Sequence, residues 1–313
     1  TGTALLRLDS VKYRLASFVT GEISSLLNTP VTIRSIEIKN FNEATLEEVL
    51  LLDRESDTLI YARKAMVSLE PSSLLNGAVG INTLAFEAPL IRLSRPTPDE
   101  PANIQFILDN ISKDSTEKDT DLRINQLLVY DGKFSYDVKS EEHIADRLDP
   151  YHIAIKDFSC NISLKNFNKE NLNLYIRSIK GREASGLELK RVKARIFTQD
   201  NGLRFTDFLV ELPDSDIESD SVQISNIGAG IEHMCIGGEL HSSNFSFKDI
   251  QPIFPQIQQT IPDITFDIDA TIGKSAAQGT ASLAVKDRSF IFDGKVMVDN
   301  LYRKEHTINA VVE

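Results

Sequence analysis

The sequence predicts a mostly β protein, built from long antiparallel strands that form one continuous sheet. Three observations predict it. Apolar and polar residues alternate with a period of two, as in Ile264, Phe266, Ile268, Ala270 and Ile272 against Thr265, Asp267, Asp269 and Thr271. One-sided burial of antiparallel strands produces this pattern, whereas strands of a parallel α/β sheet are apolar on both faces. Many of the runs are long, and the few helical patterns punctuate the strands rather than alternate with them.

In chain order, the first element is an amphipathic helix over Asp9–Asn28. Asp9 or Ser10 caps it, and Val11, Leu15, Phe18, Ile23, Leu26 and Leu27 recur near the helical period. Asn28-Thr29-Pro30 ends it, because the residue before proline disfavours the α region. Such a helix is expected to cover the open end of a core, with binding to a membrane surface as the alternative. Residues 1–30 therefore form a capping segment, and 31–313 a continuous β region whose best place to divide is the charged loop Ser112–Asp121, with Glu141–Pro150 a second candidate.

From Val31 the period changes to two. Leu59, Tyr61, Ala65, Val67 and Leu69 share a face that Arg63 interrupts. Pro71–Gly77 reads as one helical turn with a glycine stop. Gly80–Ser94 is expected as one strand of about 50 Å at ~3.3 Å per residue. Ile104, Phe106, Ile107, Leu108 and Ile111 predict a short helix. Strands are expected at Thr45–Asp53, Arg123–Tyr130, Lys133–Val138, His152–Leu164, Leu172–Ser178, Gly186–Thr198, Leu203–Glu211, Asp216–Asn226, Asp263–Lys274, Gly279–Lys286 and Phe290–Asp299, with further alternation at Ile308, Ala310 and Val312. Asp131-Gly132, Asn201-Gly202 and Asp293-Gly294 are expected turns. Asp249–Ile261 predicts a helix broken by Pro252 and Pro255.

Composition bounds function. At 313 residues the chain exceeds a typical domain, although all-β architectures run this long as one unit. A net charge of −12 argues against nucleic acid and against tight adsorption to anionic head groups. No Trp and 7% aromatics leave few stacking platforms or membrane belts. Cys160 and Cys235 read as small strand side chains; a disulfide between them stays open, and two cysteines alone cannot make a structural zinc site. No apolar run reaches the ~20 residues of a membrane-spanning helix. The start at Thr1, with the apolar stub Ala4-Leu5-Leu6, fits a segment just after a signal or anchor and fits a trimmed tag equally well.

No residue cluster announces a reaction, so the expectation is a non-enzyme with no cofactor and no metal. The histidines (143, 152, 233, 241 and 306) show no ligand spacing such as HExxH, and no Gly-x-Ser-x-Gly elbow occurs. Gly228-Ala-Gly230 is too short for a dinucleotide loop. Asp214, Asp216, Glu218 and Asp220 lack the central Gly and terminal Glu of a calcium loop and read as a solvated strand start.

The layout carries a resemblance. The helix Asp9–Asn28, then Pro30-Val-Thr-Ile-Arg-Ser-Ile-Glu-Ile-Lys-Asn-Phe41, Leu46-Glu-Glu-Val49, Asp57-Thr58-Leu59-Ile60-Tyr61-Ala62, Ser73-Leu74-Leu75-Asn-Gly77, Ala88-Pro89-Leu90-Ile91-Arg92-Leu93, Asn103-Ile104-Gln105-Phe106 and Ser185-Gly186-Leu187-Glu188-Leu189 together resemble the N-terminal region of the TamB family of AsmA-like envelope proteins of Bacteroides-type bacteria. The resemblance implies a sheet curled into an apolar-lined groove or taco. It implies a protein of the periplasm, anchored in the inner membrane by an N-terminal helix absent from this sequence. It implies roles in phospholipid transport, outer-membrane biogenesis and protein secretion, with an outer-membrane barrel protein as partner.

The leading expectation is a groove for phospholipid acyl chains, because the apolar rows are aliphatic and helices are too few to cover a broad sheet. Its candidate lining is Leu59, Tyr61, Val67, Leu69, Ile264, Phe266, Ile268, Ile272, Leu283 and Val285. Burial of each methylene contributes about 0.8 kcal/mol, so such a lining holds a lipid tail without polar contacts. A protein-interaction module that accepts an added strand, and a closed β-sandwich, are the alternatives.

Overall fold

The computed structural model describes residues 24, 27–40, 42–70, 80–111, 123–168, 171–227, 234–257, 261–273, 276–286, 289–299 and 307–312. Among them the chain is mostly β, in a large mixed sheet. Regular helix is limited there to α1 (Gln105–Ile111) and to Ser24 and Leu27. The expected helix over 9–28 thus lies largely outside the described residues, as do the turn at 71–77 and the loop 112–121. The chain divides into two compact units, the first Thr1–Asn168 with Gly181–Ala184, the second Lys169–Lys180 with Ser185–Glu313. That division falls well beyond the loop at which the sequence pattern suggested one.

In the first unit, β1 (Val31–Thr32) and β2 (Ser35–Asn40) both pair with β3 (Glu43–Leu52), which runs antiparallel to β4 (Thr58–Leu69). Next come β5 (Gly80–Glu87) and β6 (Leu90–Arg95), each antiparallel to part of β4. Both run parallel to β7 (Arg123–Val138), which pairs antiparallel with β8 (His152–Asn168). The all-antiparallel expectation is therefore corrected: the sheet is mixed. A parallel neighbour needs a crossover of a dozen residues or more, and the segment containing α1 supplies it between β6 and β7.

Two further expectations change together. Gly80–Ser94 is not one strand, because Ala88 turns to φ 46° ahead of Pro89. Asp131-Gly132 is no hairpin, because β7 runs through it. The two irregularities face each other: Ala88 N–H donates to the Tyr130 carbonyl at 2.7 Å and Lys133 N–H to the Pro89 carbonyl at 2.7 Å. A Cβ on residue 132 would meet the Pro89 ring at 3.0 Å, so close approach, not turn formation, calls for glycine here. Asp131 takes φ 51° and donates its N–H to Ser159 Oγ at 3.1 Å, a bulge that bends the strand.

The second unit is an antiparallel meander. After β9 (Asn171–Glu183, whose last residues belong to the first unit) follow β10 (Glu188–Gln199), β11 (Gly202–Glu211), β12 (Asp216–Ser225), β13 (Cys235–Phe245), β14 (Ile264–Gly273), β15 (Ala276–Val285), β16 (Ile291–Asp299) and β17 (Thr307–Val312). From β10 onward each strand pairs with the next. Gln199 pairs with Gly202 across Asp200 and Asn201, at φ 46° and 60°, the pair of positive values that a two-residue type I′ hairpin requires. Asp293-Gly294, by contrast, lies inside β16, where pairing on both sides holds it extended. Residues 249–257 form successive turns with i→i−3 bonds such as Ile253 N–H to the Ile250 carbonyl, 2.9 Å, rather than the expected helix; Pro252 and Pro255 supply no N–H to a helical ladder.

The units differ in their cores. The first buries two clusters. One joins Ala44, Leu46, Val49, Ala65, Val67, Leu69 and Ile81, and the other joins Leu51 and Leu59 to Phe106 and Ile107 of α1. In the second unit, only Ala194, Leu212 and Phe266 are buried apolar side chains among the described residues.

Candidate functional site

The structure separates the candidate lining residues into two groups. Leu59, Val67 and Leu69 are 0%, 2% and 0% exposed and fill the first unit's closed clusters. They offer a ligand no surface, which corrects their assignment to an open groove: α1 covers Leu59, and strands β2, β3 and β5 enclose the other two. Tyr61 leaves the row altogether. The alternation slips there, so that Ala62 is buried in its place, and the Tyr61 hydroxyl donates to the Glu48 carboxylate. That bond, made to a negative partner, holds the phenol above its ordinary pKa.

The remaining candidates converge on one face of the second unit. Strand register aligns Leu203, Ile224, Ile236, Ile272, Ala277, Val298 and Ile308 across β11–β17. Two residues along each strand lies a row of smaller groups, Val222, Gly238, Ala270, Gly279, Val296 and Ala310. Beyond it Leu240, Ile268 and Ala281 align, then Phe266, Leu283 and Phe292, then Phe245, Ile264 and Val285. At ~4.8 Å between strands, the first row spans about 29 Å. On this face Ile264, Ile268 and Ala270 of β14 and Phe292, Gly294, Val296 and Val298 of β16 are half-buried, whereas Asp267, Asp269 and Thr271 between them on β14 and Ile291, Asp293, Lys295 and Met297 on β16 are exposed, so the period-two pattern in the sequence does mark a real two-faced sheet.

The face is graded. At its Phe266 end the rings of Phe245 and Phe266 meet edge-on at 5.6 Å, and Phe247 meets Phe245 at 5.4 Å. Beside them the Ser242 hydroxyl is fully buried without a hydrogen-bond partner. At the other end Ile272 is 38% exposed. A latch of short polar residues fixes the closed end. Asp249 accepts from the Asp214 N–H at 2.8 Å and from the Ser215 hydroxyl at 2.7 Å. Asp216 accepts from Ser243 N–H and hydroxyl and from Asn244 N–H, at 3.0, 2.8 and 2.9 Å. The acidic run read as a solvated strand start is thus, through the Asp214 N–H and the Asp216 carboxylate, a structural clasp that ties the start of β12 to the end of β13 and to Asp249 in the turn after it.

The opposite face is polar over β12–β15, while on β16 and β17 it also carries the exposed side chains of Ile291, Met297 and Val311. A shallow depression of about 560 Å³ opens on it, lined by Glu218, Glu239, His241, Asp267, Asp269 and Lys295 among others. His241 Nδ1 lies 2.5 Å from Asp267 Oδ1, and this bond raises the imidazole's pKa. Both side chains are more than half exposed, so solvent screens the pair. Carboxylates crowd this hollow, and it suits neither lipid tails nor anionic head groups.

Cys160 and Cys235 are both free thiols. Burial pushes the Cys160 thiol up to about 11, which removes it as a nucleophile at neutral pH. Among the described residues no helix is long and apolar enough to cross a membrane. Set against protein-family models, curated proteins and solved structures, the chain matches none.

Proposed function

We propose that the apolar face of the second unit is a groove-like surface for acyl chains, and that the protein moves phospholipid between membranes without catalysing a reaction. One observation carries this reading: five register-aligned apolar rows lie within β11–β17, the longest crossing all seven strands and three of them crossing three strands each, yet Phe266 alone of these side chains is buried among the described residues. Closed cores of the kind the first unit builds leave such rows fully covered. Transfer of about eight methylenes onto such a surface at ~0.8 kcal/mol each is worth roughly 6 kcal/mol, a dissociation constant in the tens of micromolar. That strength suits a carrier, which must also release. The TamB-like sequence pattern supports the wider setting: a periplasmic location, an inner-membrane anchor, an outer-membrane barrel partner and a contribution to outer-membrane biogenesis and secretion.

Titration with a fluorescent fatty acid tests the reading. Wild-type protein is expected to bind saturably, and Ile268→Asp to weaken binding at least tenfold with melting behaviour unchanged. Thr271→Asp, on the polar face, should bind as wild type. Equal binding by all three proteins would overturn the proposal. Loss of fatty-acid binding is expected to leave any capture of unfolded β-barrel segments intact, since strand addition uses backbone edges rather than this face.

A further inference from the structure

The connection between β7 and β8 assembles groups that the apolar face does not use. His152 opens β8 with its side chain only 6% exposed, and its Nδ1 lies 2.8 Å from Asp149 Oδ2. Asp149, equally buried, also accepts the N–H groups of Ile144 at 2.8 Å and Tyr151 at 3.0 Å. A carboxylate so supplied with donors is ionised and can only accept, so the shared proton sits on Nδ1 of His152. In the neutral imidazole Nε2 then carries the lone pair, directed away from Asp149. Nε2 faces Asp137 Oδ1 at 3.6 Å, too far for a hydrogen bond. The exposed ring of His143 stacks on His152 with centroids 3.7 Å apart. One ligand atom from each of Asp137, His143 and His152 lies within 4.8 Å of the others.

From this geometry we infer a divalent transition-metal site. Zn²⁺ takes His nitrogens and a carboxylate oxygen at about 2.0–2.2 Å in tetrahedral array, which sets neighbouring ligand atoms roughly 3.4 Å apart. The Asp137–His152 separation, 3.6 Å, is close to that already, and the exposed His143 brings a ring nitrogen within 4.8 Å of both. Asp137 and one ring nitrogen of His143 join His152 Nε2 as ligands, and water takes the fourth position. Asp149 is the positioning residue: it holds the tautomer and angle of His152 as carboxylates behind metal-bound histidines do. The spacing of Asp137, His143 and His152 in the chain follows no ligand motif, because the site is closed by the β7–β8 pairing and not by a helix turn.

Co²⁺ titration of the full chain, with Zn²⁺ competition, tests this inference. One Co²⁺ per chain is expected, with the intense visible absorption of a tetrahedral centre, displaced by one Zn²⁺. His143→Ala and Asp137→Asn, both at accessible side chains, should each weaken binding at least tenfold while the melting temperature of the metal-free protein holds. Asp149→Asn should weaken it 10–100-fold, and His241→Ala should change nothing. Absence of the Co²⁺ spectrum, or affinity unchanged in His143→Ala, would overturn the assignment, and neither result bears on lipid binding.

Discussion

Asp149 is buried, and burial, the largest single influence on it, would raise its pKa. The N–H groups of Ile144 and Tyr151 and the imidazole of His152 together outweigh that and hold the carboxyl down at about 2. Because the folded value lies below the unfolded 3.8, the charged carboxylate stabilises the fold above that pH, and its contribution is lost as pH falls from about 4 towards 2. Melting temperature measured against pH is therefore expected to fall over this window in wild type. Asp149→Asn should melt lower than wild type at pH 7, with the two curves converging near pH 2. Parallel curves throughout would mean that the carboxylate is not charged in the folded state.

At the scale of elements, α1 does for the first unit what nothing described does for the second. Phe106 and Ile107 pack on Leu51 and Leu59, and the Arg54 guanidinium lies 5.0 Å from the Phe106 ring centroid. Asn103 sets the helix in place. It donates its N–H to the Ser94 carbonyl at 2.7 Å, accepts from Ser94 N–H at 3.0 Å, and donates Nδ2 to Asp53 at 3.0 Å. Phe106→Ala should lower unfolding free energy by about 3–5 kcal/mol, read from urea denaturation; a change under about 1 kcal/mol would show that α1 is not part of the core. Helix α1 was legible in Ile104, Phe106 and Ile107, and most strands were legible in their alternation. Bulges were not: Asp131-Gly132 carries the residues of a turn, and only its long-range contact with Pro89 makes it a bend in a longer strand. Nor was β13, whose Gly237-Gly238 and Ser242-Ser243-Asn244 dilute the apolar signal in a strand that two neighbours impose. Alternation also could not tell Leu59 from Ile268, since a strand face reads the same whether a helix covers it or not.

Over the whole molecule, the contrast between a unit with two packed clusters and a unit whose aligned rows stay mostly half-buried among the described residues is the basis for assigning function to the second. Photo-crosslinking tests that assignment most directly. A benzophenone amino acid placed at Ile272, at Ile268, or at Asp269 on the opposite face would be irradiated with phospholipid vesicles, and adducts weighed by mass spectrometry. Lipid adducts at 272 and 268 and none at 269 are the predicted result. No adduct at either apolar position, or equal capture on both faces, would contradict an acyl-chain surface on this sheet.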